Sequence, residues 1–272
     1  MANPVTVDVP IGATLGDCIA LAGGATCAEP FGLTGGVMMG KLCTDFNEPV
    51  TRTTGGLIVL PREHMLYRRY AAEWKQISRI GASACDQCSF CTEFCPRYLL
   101  GHPIEPHKAM RSLCFNEIGE ANVIGTDFCC ECNLCTMIAC PEDLDPKNVC
   151  TQNKRRRADE GERWTDAPLV EARPRLHLDN RRVPIGRLIR KLGLSDFENV
   201  GPLLDPMPAP ARVTIPLQMH IGAPCTPTVS VGQSVSEGDV IAEPPKDKLG
   251  VPIHASIPGK VTSINGAIVI ER

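Results

Sequence analysis

The 272-residue sequence lacks three features, and each absence narrows the classes of protein it can belong to. No apolar run approaches the roughly 20 residues that a helix needs to span a bilayer, and the best one, at residues 57–60, has the size of a short strand. Residues 1–10 show neither the basic start nor the apolar core of a secretion signal. The net charge of −3 gives no reason to expect a nucleic-acid partner. We therefore expect a cytoplasmic protein that binds neither membranes nor nucleic acids.

Cysteine, in contrast, is abundant, with 15 residues in the chain. In a reducing compartment so many cysteines are typical of metal binding rather than of disulfides. Eight of them form two groups, and each group ends in Cys-Pro. The first group is Cys85, Cys88, Cys91 and Cys95, and the second is Cys129, Cys132, Cys135 and Cys140.

The two groups resemble the ligand run of bacterial two-cluster ferredoxins, in which three closely spaced thiolates hold one cluster and the fourth reaches across to the other. The resemblance implies two [4Fe-4S] clusters with exchanged fourth ligands. One cluster would take Cys85, Cys88, Cys91 and Cys140, and the other would take Cys129, Cys132, Cys135 and Cys95. Structural zinc is the weaker alternative, because zinc sites are built from paired Cys-x2-Cys units rather than from triple thiolates followed by Cys-Pro.

Two details of the second group leave its local geometry open. Four residues rather than three separate Cys135 from Cys140, and Cys130 is an additional thiol beside Cys129. We favour Cys129 as the ligand, because only Cys129 keeps the two-residue gap to Cys132. Cys130 is the alternative.

Helical periodicity surrounds both groups. Apolar residues recur at steps of three or four from residue 66 to 81 and predict one helix that leads to Cys85. Pro106 and Asp145-Pro146 mark the starts of two more helices, the last reaching about residue 158. We expect Cys114 to be a core thiol. The basic run at residues 154–157 could steer an acidic electron partner, but a solvated helix face is the favoured interpretation. The sequence thus predicts an α-helical two-cluster ferredoxin module at residues 63–160, followed by a Pro/Arg-rich linker at residues 161–210.

Both flanks of this module indicate β structure. Residues 4–62 predict a strand at 5–9, a helix capped by Thr14, an irregular loop and a strand at 57–60. Their motifs at residues 9–17, 35–40 and 53–56 resemble the soluble-ligand-binding β-grasp (SLBB) domain. That name implies a ligand, but we favour the interpretation that the glycines of these motifs permit tight turns. The predicted fold class is multidomain α+β, with the β-grasp domain first.

Residues 211–272 predict paired strands that end in a hairpin at Asn265-Gly266, and they resemble an all-β barrel-sandwich hybrid. Asp247-Lys248 lies close to the place where lipoyl and biotinyl carriers of this fold bear their modified lysine. Pro244-Pro245 and Gly250 disrupt the carrier hairpin, which disfavours a swinging arm. Residues 216–224 and 252–256 resemble instead the non-carrier version found in the RnfC component of the Rnf complex.

The order of these parts, with the motif at residues 85–101, resembles the cobalamin reductase family of propanediol-utilisation microcompartments. The resemblance covers essentially the whole chain. It implies an oxidoreductase that passes electrons from NADH through FMN and two [4Fe-4S] clusters to cobalamin or a microcompartment acceptor. The family's flavin and NADH domain does not occur in this sequence, so we expect FMN only in that absent domain and an electron relay here, without catalytic residues of its own.

The resemblance also implies partners and a location. The donor would be a flavin/NADH domain or protein, and the acceptor a corrinoid, an adenosyltransferase or a shell protein within a bacterial microcompartment. Two other functions stay open: a binding or assembly module whose clusters only stabilise the fold, and a respiratory protein of the Rnf type. Clusters that no physiological donor can reduce would favour the first, and membrane association with the other Rnf proteins would favour the second.

Overall fold

A computed structural model describes residues 1–115, 123–162, 172–197 and 200–272. The chain forms two compact units, one made of Met1–Glu63 with Glu198–Arg272 and the other of His64–Phe197. The predicted linker lies partly outside the described residues, and the four-domain division stays a prediction beside these two units. None of the described helices has both the length and the hydropathy of a transmembrane span.

The N-terminal part of the first unit is one helix on a small sheet. The helix Leu15–Leu21 (α1) begins at the predicted cap, where the Asp17 N–H donates to Thr14 Oγ1 at 3.0 Å and the Thr14 N–H donates to the Asp17 carboxylate at 2.9 Å. These reciprocal bonds form a capping box. The antiparallel sheet has the order β2–β1–β3 and is built from Pro30–Thr34 (β1), Lys41–Cys43 (β2) and Leu57–Pro61 (β3). The predicted helix and the predicted strand at residues 57–60 are thus confirmed.

The strand predicted at residues 5–9 is wrong. Only Thr6 pairs, in an isolated parallel bridge with Leu203. The Thr6 N–H donates to Pro202 O at 3.0 Å, and Met207 N–H donates to Asp8 O at 2.9 Å. Prolines at 202, 206 and 208 of the partner segment have no N–H to donate, so a continuous ladder cannot form there.

The C-terminal part of the first unit contains two antiparallel sheets around one core. A four-stranded sheet has the order β4–β10–β9–β6, and a three-stranded sheet has the order β5–β7–β8. The strands are Arg212–Pro216 (β4), Thr226–Pro227 (β5), Ser234–Val235 (β6), Val240–Glu243 (β7), Ile253–His254 (β8), Gly259–Ile264 (β9) and Ala267–Glu271 (β10). Buried Ile215, Ile241 and Ile268 belong to the shared core. The predicted hairpin at residues 265–266 joins β9 to β10 and is confirmed.

Backbone contacts join the two ends of the chain within this unit. Thr214 N–H donates to Gly12 O at 2.9 Å, and Ser256 Oγ donates to Ile11 O at 2.5 Å. Gly12 has a φ of +92°, and a Cβ there would lie 2.9 Å from a side-chain carbon of Ile215. Only glycine permits this approach, which no periodicity in either segment indicates.

The second unit is helical. Its α-helices are Met65–Tyr70 (α2), Trp74–Ala84 (α3), Phe90–Glu93 (α4), Pro96–Leu99 (α5), Pro106–Ser112 (α6), Pro146–Asp159 (α7) and Ile185–Lys191 (α8). The 3-10 helices Ile124–Phe128 and Asp179–Arg181 and the π-helix Cys135–Ala139 complete the set for the described residues. Prolines open α6 and α7 as predicted.

Two predictions for the segments before and after the first cysteine motif are wrong. The single helix expected before Cys85 is divided into α2 and α3, although residues 71–73 are good helix formers, so packing overrides local propensity there. Cys114 is exposed rather than buried, because α6 ends at Ser112 and helical periodicity no longer applies beyond it. Within the core, Gly81 lets α6 approach α3 closely: a Cβ there would lie 2.8 Å from Leu113.

Candidate metal centre

The eight cysteines of the two motifs line two separate recesses in the helical unit. The first recess is bordered by Cys85, Cys88, Cys91 and Cys140. The second is bordered by Cys95, Cys129, Cys132 and Cys135, together with Cys130 and Cys150. Each recess therefore receives three thiols from one motif and one from the other. As placed, no three His, Cys, Asp or Glu side chains of the described residues could hold a single metal ion.

The two motifs share an unusual backbone. Gln87 and Ser89, on either side of Cys88, have φ of 57° and 67°. Glu131 and Asn133, on either side of Cys132, have φ of 59° and 66°. This left-handed conformation costs a residue with a Cβ roughly 1–2 kcal/mol; it persists where surrounding structure enforces it and is frequent at functional sites.

The extra residue of the second motif is accommodated by a π-helix. In the first motif, α4 leads to Cys95 through an ordinary turn with Phe94 N–H donating to Phe90 O at 3.0 Å. In the second, Cys140 N–H donates to Cys135 O at 3.2 Å across five residues. A π-turn holds one residue more than an α-turn. The backbone at the fourth cysteine is consequently the same, with φ and ψ of −70° and 117° at Cys95 and −73° and 119° at Cys140.

Hydrogen-bond donors point at several of the sulfurs. Gln87 Nε2 donates to Cys85 Sγ at 3.2 Å, and Arg111 Nε holds that amide through its oxygen at 3.1 Å. The Leu144 N–H donates to Cys140 Sγ at 3.3 Å. Such donors favour thiolate over thiol and stabilise negative charge on a bound cluster.

Burial works against ionisation of these thiols unless positive charge enters the recess. Burial raises the pKa of Cys91 to about 12, and the next contributions come from Cys85, Cys140 and Cys88, the other three thiols of the first recess. Burial likewise raises the pKa of Cys132 to about 12 and that of Cys95 to about 11. Four soft sulfur donors that repel one another as thiolates fit an iron–sulfur cluster, whose irons supply the missing positive charge.

Cys129 differs from the other thiols. A hydrogen bond from the Cys150 side chain and, to a smaller extent, the charge of nearby Lys154 lower the pKa of Cys129 to about 7. The same contact raises the pKa of Cys150, so Cys150 keeps the shared proton. Cys150 belongs to neither cysteine motif and was not predicted to lie at the site. It lies seven residues before Arg157, which places both residues on the same side of α7.

The prediction of a solvated basic face at residues 154–157 is wrong for two of its four members. Lys154 Nζ donates to Cys129 O at 2.9 Å. The Arg157 side chain is 1% exposed and forms ion pairs with Asp127 at 3.3 Å and Glu162 at 2.8 Å. Helix α7 packs one side against the segment before Cys129, and positions 150, 154 and 157 all fall on that side. These cations therefore support the second recess.

Comparison with known proteins adds two matches to family models. Residues 84–145 match the 4Fe-4S dicluster domain, and residues 202–271 match the RnfC barrel sandwich hybrid domain. The two-cluster module and the barrel-sandwich hybrid are thus confirmed, as are two [4Fe-4S] clusters as cofactors. The SLBB assignment of residues 4–62 stays a prediction.

Two relatives that align with nearly the whole chain support the same resemblance. The chain is 40% identical to the cobalamin reductase PduS of Salmonella typhimurium over 274 aligned residues, which cover 100% of this chain and 60% of the relative. It is 38% identical to the cobalamin reductase PduS of Citrobacter freundii, over 97% of this chain and 58% of the relative. A 55-residue stretch is 47% identical to the C component of the Na(+)-translocating ferredoxin:NAD(+) oxidoreductase complex of Acetobacterium woodii, covering 20% of this chain and 12% of that protein. The resemblance inferred from the sequence is confirmed, and the chain spans about three fifths of the length of the PduS relatives.

Proposed function

We propose that this chain is the iron–sulfur relay of a cobalamin reductase of the PduS type, carrying electrons through two [4Fe-4S] clusters. The observation that carries the proposal is the exchange of the fourth thiol between two neighbouring recesses. Only three residues separate Cys91 in one recess from Cys95 in the other, so a single helical turn joins the two sites. This coupling suits transfer between clusters better than two independent structural sites.

We assign the ligands from the recesses. The first cluster takes Cys85, Cys88, Cys91 and Cys140, and the second takes Cys129, Cys132, Cys135 and Cys95. Two observations favour Cys129 over Cys130. The left-handed residues Glu131 and Asn133 occupy the same places relative to Cys129 as Gln87 and Ser89 do relative to Cys85, and the lowered pKa of Cys129 makes it the readier thiolate.

The protein's own groups would set how easily each site accepts charge. A bound [4Fe-4S] cluster supplies reversible one-electron chemistry. The Gln87 amide and the Leu144 N–H donate to sulfurs of the first site, and the N–H groups of Tyr98 and Arg97 donate to Cys95 of the second. Helices α6 and α7 pack over both sites and limit the access of water.

We extend the proposal to the electron donor and the electron acceptor. We infer that electrons arrive from a flavin/NADH domain or protein and leave to a corrinoid, either directly or through an adenosyltransferase, or to a shell protein, inside a bacterial microcompartment. The relatives are named as cobalamin reductases, which supports a cobalamin acceptor.

Metal analysis with EPR spectroscopy of anaerobically prepared protein tests the relay. We expect about eight irons and eight sulfides per chain and interacting S = 1/2 signals after dithionite reduction. Oxidation of the reduced clusters by cob(II)alamin or cob(III)alamin in stopped flow would then establish the acceptor. Zinc in place of iron, or fewer than about four irons after reconstitution, would overturn the relay.

A further inference from the structure

A strongly basic segment lies outside the cluster motifs and has no role in the relay described so far. Residues 172–191 contain seven cations and one carboxylate, a net charge of +6 in a chain whose total is −3. We name this segment the basic strap. The cations are Arg173, Arg175, Arg181, Arg182, Arg187, Arg190 and Lys191.

Four arginines of the basic strap have no acidic partner among the described residues. Three other cations are paired: Arg181 with Glu93, Arg182 with Asp179, and Lys191 with Asp143. The exposed side chains without a carboxylate partner are those of Arg173, Arg175, Arg187 and Arg190. So many uncompensated guanidinium groups give this surface a positive potential that attracts an anionic partner.

The basic strap is fixed to the segment that carries two cluster ligands. The Arg175 N–H donates to Leu99 O at 2.8 Å, and the Arg175 guanidinium lies 4.9 Å from the centre of the Tyr98 ring. Arg181 lies 5.3 Å from the ring centre of Phe94. At Gly101, with φ of +99°, a Cβ would clash with the backbone of Arg173, so glycine permits close packing there.

This attachment places the strap close to the second site. The N–H of Tyr98 donates to the Cys95 sulfur, and Arg175 rests on the ring of the same tyrosine. Tyr98 therefore contacts both Arg175 of the basic strap and Cys95, a thiol assigned to the second cluster. A partner bound here would face that cluster across a short distance.

We propose that the basic strap is the docking surface for a protein electron carrier with an acidic face, which exchanges electrons with the second cluster. This inference rests on the proposed relay. Exposed Leu176 and Ile185, which are 89% and 74% accessible, would supply the apolar contacts of a small transient interface, and arginine is enriched at such interfaces. Charge complementarity would accelerate encounter without requiring high affinity.

The test compares two double variants of the whole chain. R187E/R190E reverses two free charges of the strap at side chains that form no hydrogen bond or ion pair with the described residues around the clusters. K246E/K248E makes the same change in net charge at exposed lysines of the other unit and serves as the matched control. The probes are reduced flavodoxin, an acidic carrier protein, and the methyl viologen radical, a small cation. Stopped-flow rates of cluster reduction are measured at several ionic strengths.

We expect R187E/R190E to slow reduction by flavodoxin at low ionic strength by at least about 10-fold, and K246E/K248E to change it little. Salt should slow the wild type and remove the difference between proteins, while rates with methyl viologen should not fall in R187E/R190E. Equal flavodoxin rates for all three proteins, with clusters that dithionite reduces normally, would overturn the docking surface alone. Loss of binding to DNA or to anionic vesicles in R187E/R190E with unchanged flavodoxin rates would also overturn it. Absence of reducible clusters in the wild type would overturn the relay as well.

Discussion

The two cysteine motifs hold their thiols with the same backbone but surround them differently. In the first, Cys88 is exposed, acidic Asp86 and Glu142 line the recess, and a side-chain amide donates to a sulfur. In the second, none of the four thiols assigned as ligands is exposed, and Glu131, Lys147 and Cys150 line the recess. Lys154 additionally holds the backbone at Cys129.

The difference shows that geometry and electrostatics are set by separate parts of the chain. The left-handed residues that wrap each motif lie inside the motif, whereas the groups that balance charge come from helix α7 in the second case and from Gln87 and the Leu144 N–H in the first. The two motifs can therefore have the same spacing of cysteines, while the clusters they bind differ in reduction potential. The predictions below disturb one motif at a time.

Replacing Cys129 with serine should have the largest effect and separate the two sites. If Cys129 ligates the second cluster, C129S should lose up to about four of eight irons and the EPR interaction between clusters. The matched control is C130S, which should keep the full iron content and the coupled spectrum. Iron loss in C130S with normal iron in C129S would reverse the ligand assignment.

Removing Arg157 should weaken the second site selectively. In R157M the partly buried Asp127 carboxylate loses its ion pair with Arg157, and breaking such a pair costs about 3 kcal/mol. We expect the EPR signal of the second cluster to be lost at a lower urea concentration than that of the first. R155M alters an exposed arginine of the same helix and should leave both clusters unaffected. Simultaneous loss of both signals in R157M would show that the two sites unfold as one.

The sequence was sufficient to predict what depends on local spacing. The grouping of the thiols around two recesses, the Thr14 cap and the proline-led starts of α6 and α7 follow from residue types at fixed intervals, while the ligand assignment stays a prediction. The extra residue of the second motif marks the limit of this prediction. Spacing alone could not show whether the extra residue would displace Cys140, and only the structure shows that the π-helix Cys135–Ala139 accommodates it.

What could not be predicted depends on which surfaces meet. Arg157 belongs to a run of four cations whose pattern predicts a solvated face until Asp127 and Glu162 are placed beside it. The division between α2 and α3 has no glycine or proline to mark it. The contact of Gly12 with Thr214 joins residues about 200 apart in the sequence, and no periodic pattern records such a pairing.

Replacing Glu131 with glycine should make the shared backbone easier to form. Glu131 has a φ of 59°, and a residue with a Cβ adopts such a positive φ only at a steric cost that glycine does not have. E131G should therefore stabilise the second motif by about 1 kcal/mol. The measurement is the urea midpoint for loss of the second cluster. D86G is the control, because Asp86 is exposed and has no positive φ, and it should be neutral or slightly destabilising. A lower midpoint for E131G would mean that its side chain contributes more than its backbone costs.

Neutralising Lys154 should shift the reduction potential of the second cluster with little change in stability. Lys154 lies beside Cys129 and favours negative charge there, so K154Q should make an added electron less favourable and lower the potential. A partly screened charge at this range is worth about 1 kcal/mol, or roughly 40 mV for one electron. An EPR-monitored titration should show this shift for the second cluster and almost none for the first.

The control is R155Q, which alters an arginine on the same helix that faces solvent and should move neither potential by a comparable amount. Equal shifts of both potentials in K154Q would mean that α7 acts on the two motifs alike, and the electrostatic contrast between them would be lost.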